Sequence, residues 1–110
     1  MHYLISFEGQ VFVDGDSLAA KEEAHDDFEV QMDRVAETLA ELTGGDFEVS
    51  ASLAEGKMAI GVYVESDDLR VAIDRATSLV VDAFRKSVGT EVPWLHPVSA
   101  VQTDRELIGA

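Results

Sequence analysis

The sequence predicts an α+β sandwich, a four-stranded antiparallel sheet with two helices on one face, and three observations carry that reading. Residues 46–65 alternate apolar and polar side chains through two runs joined by a short Glu55-Gly56-Lys57 turn, the pattern of a half-buried hairpin. Residues 18–43 and 69–88 carry apolar side chains three and four apart, the spacing of amphipathic helices. The chain has 110 residues, enough for one core, so a single domain spanning 1–110 is expected.

The first run, residues 2–13, places Tyr3, Ile5, Phe7, Val11 and Val13 on one face. Gly9 marks a bulge or close approach, and the segment reads as one long bent strand or as a hairpin turning at Glu8-Gly9. Asp14-Gly15-Asp16-Ser17 breaks the strand, and Asp16 or Ser17 can cap the N-terminus of the next helix. In residues 18–43, the residues Leu18, Ala24, Phe28, Met32, Val35, Ala36, Leu39 and Leu42 form the inward stripe, and Gly44-Gly45 provides the stop. A helix of 26 residues is long against a mean of about 11–12, which allows its first turns to form a separate piece.

In the hairpin, Phe47, Val49, Ala51 and Leu53 share one face with Met58, Ile60, Val62 and Val64 of the return strand. Ser66-Asp67-Asp68 caps the second helix, whose stripe is Leu69, Ala72, Ile73, Ala76, Val80, Ala83, Phe84 and Val88. Arg85 and Lys86 fall in its last turn, where the helix dipole favours cations. Residues 90–97, bracketed by two prolines, read as a loop; residues 98–102 are β-compatible, and Thr103 and Glu106 have capping-box spacing for a final turn.

Strand, helix, strand, strand, helix, strand is the βαββαβ order of a ferredoxin-like sandwich, with strand order 4-1-3-2. One sheet face packs on the helices. The other would present Leu4, Ser6, Glu8, Gln10 and Phe12 from the first strand and Ser50, Ser52, Ala59, Gly61 and Tyr63 from the hairpin. Such small side chains admit a second sheet or a helix at close range, so docking of a partner, or homodimerisation, is expected there.

Charge is the unusual bulk property: 22 acidic against 8 basic side chains, a formal net of −14. Residues 1–45 hold 11 acids and 2 bases, and residues 46–110 hold 11 acids and 6 bases. Direct nucleic-acid binding is disfavoured, because a phosphate backbone is held by clustered Lys and Arg that release counterions. Base stacking on sheet aromatics would also be opposed by Glu8 and Glu48. The acids concentrate on the outward side of the first helix, with Asp26, Asp27, Asp33 and Glu37 prominent, and Lys21 and Arg34 as the bases nearby. That surface is either solvated charge or a face for a basic partner. No apolar run reaches the roughly 18 residues of a membrane span, and the N-terminus lacks signal-peptide features, so a cytoplasmic protein is expected.

Site motifs are sparse. The chain has no cysteine, no G-x-S-x-G elbow, no phosphate loop and no dinucleotide fingerprint. Asp14-Gly15-Asp16 begins like a calcium loop, but the later ligands are wrong, and helix capping explains it better. His25-Asp26-Asp27 points its side chains in different directions on a helix, and His2 and His96 are not brought near it by spacing. No metal, no cofactor and no catalytic residue is therefore assigned. Trp94, between the prolines, reads as a plug at the end of the core or as an anchor at an interface.

The stretches SFEGQVFVDGDS, DFEVSASLAEG, KMAIGVYVE, AIDRATSLVVDAFRKSVG and TEVPW together resemble a diffuse group of small uncharacterised acidic βαββαβ proteins of high-GC bacteria and their phages. The resemblance implies the fold and brings no activity, cofactor or site residue with it. The expected function is a non-catalytic interaction module docking through the open sheet face. The alternatives are an acidic nucleic-acid mimic that occupies a basic nucleic-acid-binding protein, and a small enzyme or ligand-binding domain with a cleft near His96 or Tyr63.

Overall fold

A computed structural model describes residues 1–13, 15–88 and 95–103, with Val13 and Val88 described at the backbone only. Asp14, residues 89–94 with Trp94, and the predicted turn after Thr103 lie outside the described residues. Four strands form the main sheet: β1 (His2–Gln10), β4 (Phe47–Ser52), β5 (Lys57–Glu65) and β6 (His96–Thr103). Their order across the sheet is β4-β5-β1-β6, and every neighbouring pair is antiparallel. Two helices, α1 (His25–Thr43) and α2 (Leu69–Val88), complete the α+β architecture.

The element order departs from a bare βαββαβ because a two-stranded ribbon, β2 (Phe12–Val13) and β3 (Asp16–Ser17), is inserted before α1. The first run is thus neither one strand through Val13 nor a hairpin at Glu8-Gly9. Val11 extends the β1–β5 register by one step, its N–H donating to the Gly56 carbonyl at 2.7 Å, and the backbone then turns away: the Val11 carbonyl accepts from Leu18 N–H at 2.9 Å, and Phe12 pairs with Ser17. The buried Val11 therefore ties the β4–β5 turn to the segment after the ribbon. Gly9 pairs in regular register with Met58, and the bulge lies instead between Ser6 and Phe7 in the β1–β6 ladder.

The long first helix is divided. Leu18–Ala20 and Glu22–Ala24 are 3-10 turns, and the α-helix begins at His25. Ser17 Oγ accepts the Ala19 N–H at 3.3 Å, the local bond expected of a capping serine. The His25 ring holds the break together, with Nε2 at 2.8 Å from the Leu18 carbonyl, a contact in which the nitrogen must donate. α1 stops at Gly44, whose φ of 71° lets its N–H reach the Ala40 carbonyl at 2.9 Å.

The hairpin turn occupies residues 53–56 rather than the predicted 55–57, and β5 supplies the centre of the core. Met58, Ile60, Val62 and Val64 are buried, opposite Tyr3, Ile5 and Phe7 of β1. Leu18, Phe28, Val35 and Leu39 cover them from the first helical segment; Ala72, Ala76, Val80, Ala83 and Phe84 do so from α2. Both helices accordingly lie on the same sheet face. Phe47 and Val49 pack half-buried at the β4 side, while Ala51 is exposed beyond the helices.

Ser66 and Asp68 shape the start of α2. Ser66 Oγ accepts the Asp68 N–H at 3.2 Å, and Asp68 Oδ1 accepts the Arg70 N–H at 2.9 Å. Leu69, predicted inside, is exposed, as is Val71. β6 is longer than predicted, beginning at His96 within the proline-rich segment. Pro97 is accommodated because it sits on an edge strand beside the bulge, where a missing N–H costs little.

Candidate functional site: the open face of the sheet

Antiparallel register places the outward side chains in rows across the strands. One row reads Ser52, Lys57 and Gln10; the next reads Ser50, Ala59, Glu8 and His96. Glu48, Gly61, Ser6 and Ser99 follow, then Tyr63, Leu4 and Val101. The first two rows floor a cleft of about 510 Å³, bounded also by Glu55 at the hairpin turn. Its volume falls in the range of about 300–1,000 Å³ usual for small-molecule sites.

The other half of the face is closed over. Tyr63 Oη donates to Glu48 Oε1 at 2.8 Å. Gly61 is buried beneath this pair and Leu4: a Cβ built on it would lie 3.1 Å from Leu4 Cδ1 and 3.7 Å from Glu48 Cβ. The expected strip of small exposed residues is therefore divided. Ser50, Ser52 and Ala59 line the cleft, while Leu4, Gly61 and Tyr63 form a capped end beside it. Phe12 is not on this face at all. It lies on the ribbon, 54% exposed, because the chain leaves the sheet at Val11.

The cleft brings hydroxyls, carboxylates, an ammonium and an imidazole to one surface. Glu8 and His96 are direct cross-strand neighbours, a pairing that only the β1–β6 register shows. Ser50 and His96 stand at opposite ends of a four-strand row, three spacings of about 4.8 Å or roughly 14 Å apart, too far for a nucleophile and its base. Ser52 Oγ accepts the Glu55 N–H at 3.3 Å and helps shape the turn. The arrangement offers groups of both charge signs for recognition. Tyr63 stands outside the cleft, so the sought pocket exists near His96 but is open to solvent and not shared with Tyr63.

On the helical side, Asp26, Asp27, Asp33 and Glu37 are all exposed, with Glu29 and Glu41 beside them. Glu29, Asp33, Glu37 and Glu41 form an unbroken i, i+4 column, about 6 Å apart along the axis. Each like-charge step costs a helix about 0.2–0.5 kcal/mol. Lys21 lies at 3.5 Å from Asp16 and 3.9 Å from Glu23, committed before the column begins. Val30, 51% exposed, sits among the acids.

His25, considered as a metal ligand from sequence, is engaged with the Leu18 carbonyl, and His2 lies 3.7 Å from Glu65 at the far end of the sheet. Among the described residues, no group of three or more His, Asp or Glu side chains is placed to hold a metal ion. No helix among them is long and apolar enough to cross a membrane. Trp94, the candidate anchor, lies outside the described residues. No protein-family model, curated protein or solved structure matches the chain.

Proposed function

We propose that the chain is a non-catalytic protein-interaction module, a ferredoxin-like sandwich elaborated by the β2–β3 ribbon, whose open sheet face docks a partner protein. The cleft carries this reading. It is a concavity of about 510 Å³ on the sheet, lined by both polar and apolar groups, with Ser50, Ser52 and Ala59 as its small-residue floor. Small side chains let a partner's backbone approach closely, and Glu8, Lys57 and His96 around them supply orientation rather than chemistry. The net charge of −14 favours an occupant that is not itself strongly acidic.

Site-specific photo-crosslinking in the producing cell tests the docking face. A photoreactive residue at Ala59 should give a discrete adduct, whereas the same group at exposed Val71 on α2 should give none. The reading fails if Ala59 gives no adduct, or if both positions give the same diffuse products.

The acidic column supports a second reading, a nucleic-acid mimic that occupies a basic binding protein. Like charges held at regular spacing with a standing cost to the helix are the observation in its favour. Binding of this kind would weaken steeply with added salt and with charge reversal at Asp26, Asp27, Asp33 and Glu37. Binding that ignores both changes refutes it.

A further inference from the structure

We propose that the chain self-associates through the outer edge of β6, pairing antiparallel with β6 of a second copy to give a continuous eight-stranded sheet. Among the described residues β6 is the terminal strand of the sheet order, and His96–Thr103 contains no Asp, Glu, Lys or Arg. Edge strands that avoid pairing commonly carry charge, especially Lys. Here, Val98 and Val101 are 45% and 56% exposed, and the interruptions, Pro97 and the bulge, fall at one end. Beyond them, Ser99, Val101 and Gln102 are exposed on an uncharged strand.

Charge distribution selects a second copy as the occupant. A net of −14 opposes self-association at most surfaces. The acids are not spread evenly, however. α1 has six acids against one base, and α2 has four bases against two acids. α1 packs on β4, while α2 packs on β5, β1 and β6. Among the described residues, pairing through β6 therefore joins the two copies on the side away from the acidic helix. It places the outer β4 strands seven spacings apart, roughly 34 Å, where the Debye length at physiological salt is about 8 Å. Two-fold antiparallel pairing also matches any strand edge to itself, so no further complementarity is required. Both open faces stay free on the same side of the joined sheet.

Sedimentation velocity over a dilution series tests the assembly, with hydrogen exchange measured at both ends of the series. The expected result is a dimer that tightens with added salt, with β6 amides exchanging about tenfold more slowly in it than on dilution. Val101 points to the open face and Gln102 to the helical face, as their partners Leu4 and Tyr3 show. Edge pairing predicts that Val101→Lys and Gln102→Lys each weaken the dimer about tenfold. A monomer at every concentration overturns the proposal, as does a dimer without slowed exchange in β6. Sensitivity to Val101→Lys alone also overturns it, since that assigns the contact to the open face. The exchange measurement on the unmodified chain decides the matter even where a variant folds poorly.

Discussion

Replacing Gly56 with alanine should be among the most damaging single-methyl additions in this protein. Gly56 lies at φ 65°, a left-handed conformation that costs a residue with a Cβ about 1–2 kcal/mol. The added Cβ would also stand 2.6 Å from Ser17 Oγ and 2.9 Å from the Ala19 backbone nitrogen. The hydroxyl can rotate away, but the backbone nitrogen belongs to the 3-10 turn that seats fully buried Leu18. Relief requires the turn to lift, stretching the Val11 N–H to Gly56 carbonyl bond, worth about 1 kcal/mol net. The two effects sum to about 2–3 kcal/mol, against a total stability of about 5–15 kcal/mol for a domain. Urea titration followed by far-ultraviolet circular dichroism measures it. Two controls separate the causes. Gly15→Ala, at φ 85° with nothing within 4 Å, should show the conformational cost alone. Gly61→Ala meets only the flexible end of Leu4 closely, and should change stability by less than about 1 kcal/mol. If Gly56→Ala is no more costly than Gly15→Ala, the hairpin turn is not clamped against the 3-10 segment.

Two further substitutions address the first helical segment. Asp33→Lys converts the Glu29–Asp33 and Asp33–Glu37 repulsions into attractions and should stabilise the fold by about 1 kcal/mol, read as a higher urea midpoint with unchanged slope. A fall in stability would show that the column is not repulsive in place. His25→Ala removes the donor to the Leu18 carbonyl and should cost about 1–2 kcal/mol. The exchange of amides in residues 18–24 should rise in that variant before the rest of the chain responds, and uniform acceleration would argue against a local staple.

The core strands and helix stripes were legible because a period of two or of 3.6 is written locally. Ile60 and Val62, or Val35 and Leu39, need no knowledge of the rest of the chain to be assigned inward. The end of β1 was not legible for the same reason. Val11 and Val13 continue the alternation of Tyr3, Ile5 and Phe7, and Phe12 continues that of Leu4 and Ser6; only the pairing of Phe12 with Ser17 and of Val13 with Asp16 reveals that the strand has left the sheet. Proline at position 97 argued locally for a loop, whereas the edge position and bulge that tolerate it are tertiary facts. The open face divides similarly. Ser50, Ser52 and Ala59 follow from alternation in the hairpin, but the Glu8–His96 pairing depends on how the last strand registers with the first. The burial of Gly61 depends on the reach of Leu4 and Glu48, which no spacing encodes.

The seating of Gly56 bears on how the molecule can be engineered. Exposed hairpin tips are ordinarily the places where a chain accepts an inserted peptide, a cut or new termini. Here the tip is divided: Ala54 and Glu55 face solvent, while Gly56 is buried against Ser17, Leu18 and Ala19. An insertion after Glu55 would push the turn off the segment that holds Leu18 in place, and so disturb the core from a position that looks peripheral. Gly44-Gly45, where α1 ends and a Cβ at Gly45 meets nothing within 4 Å, is the better place to open the chain.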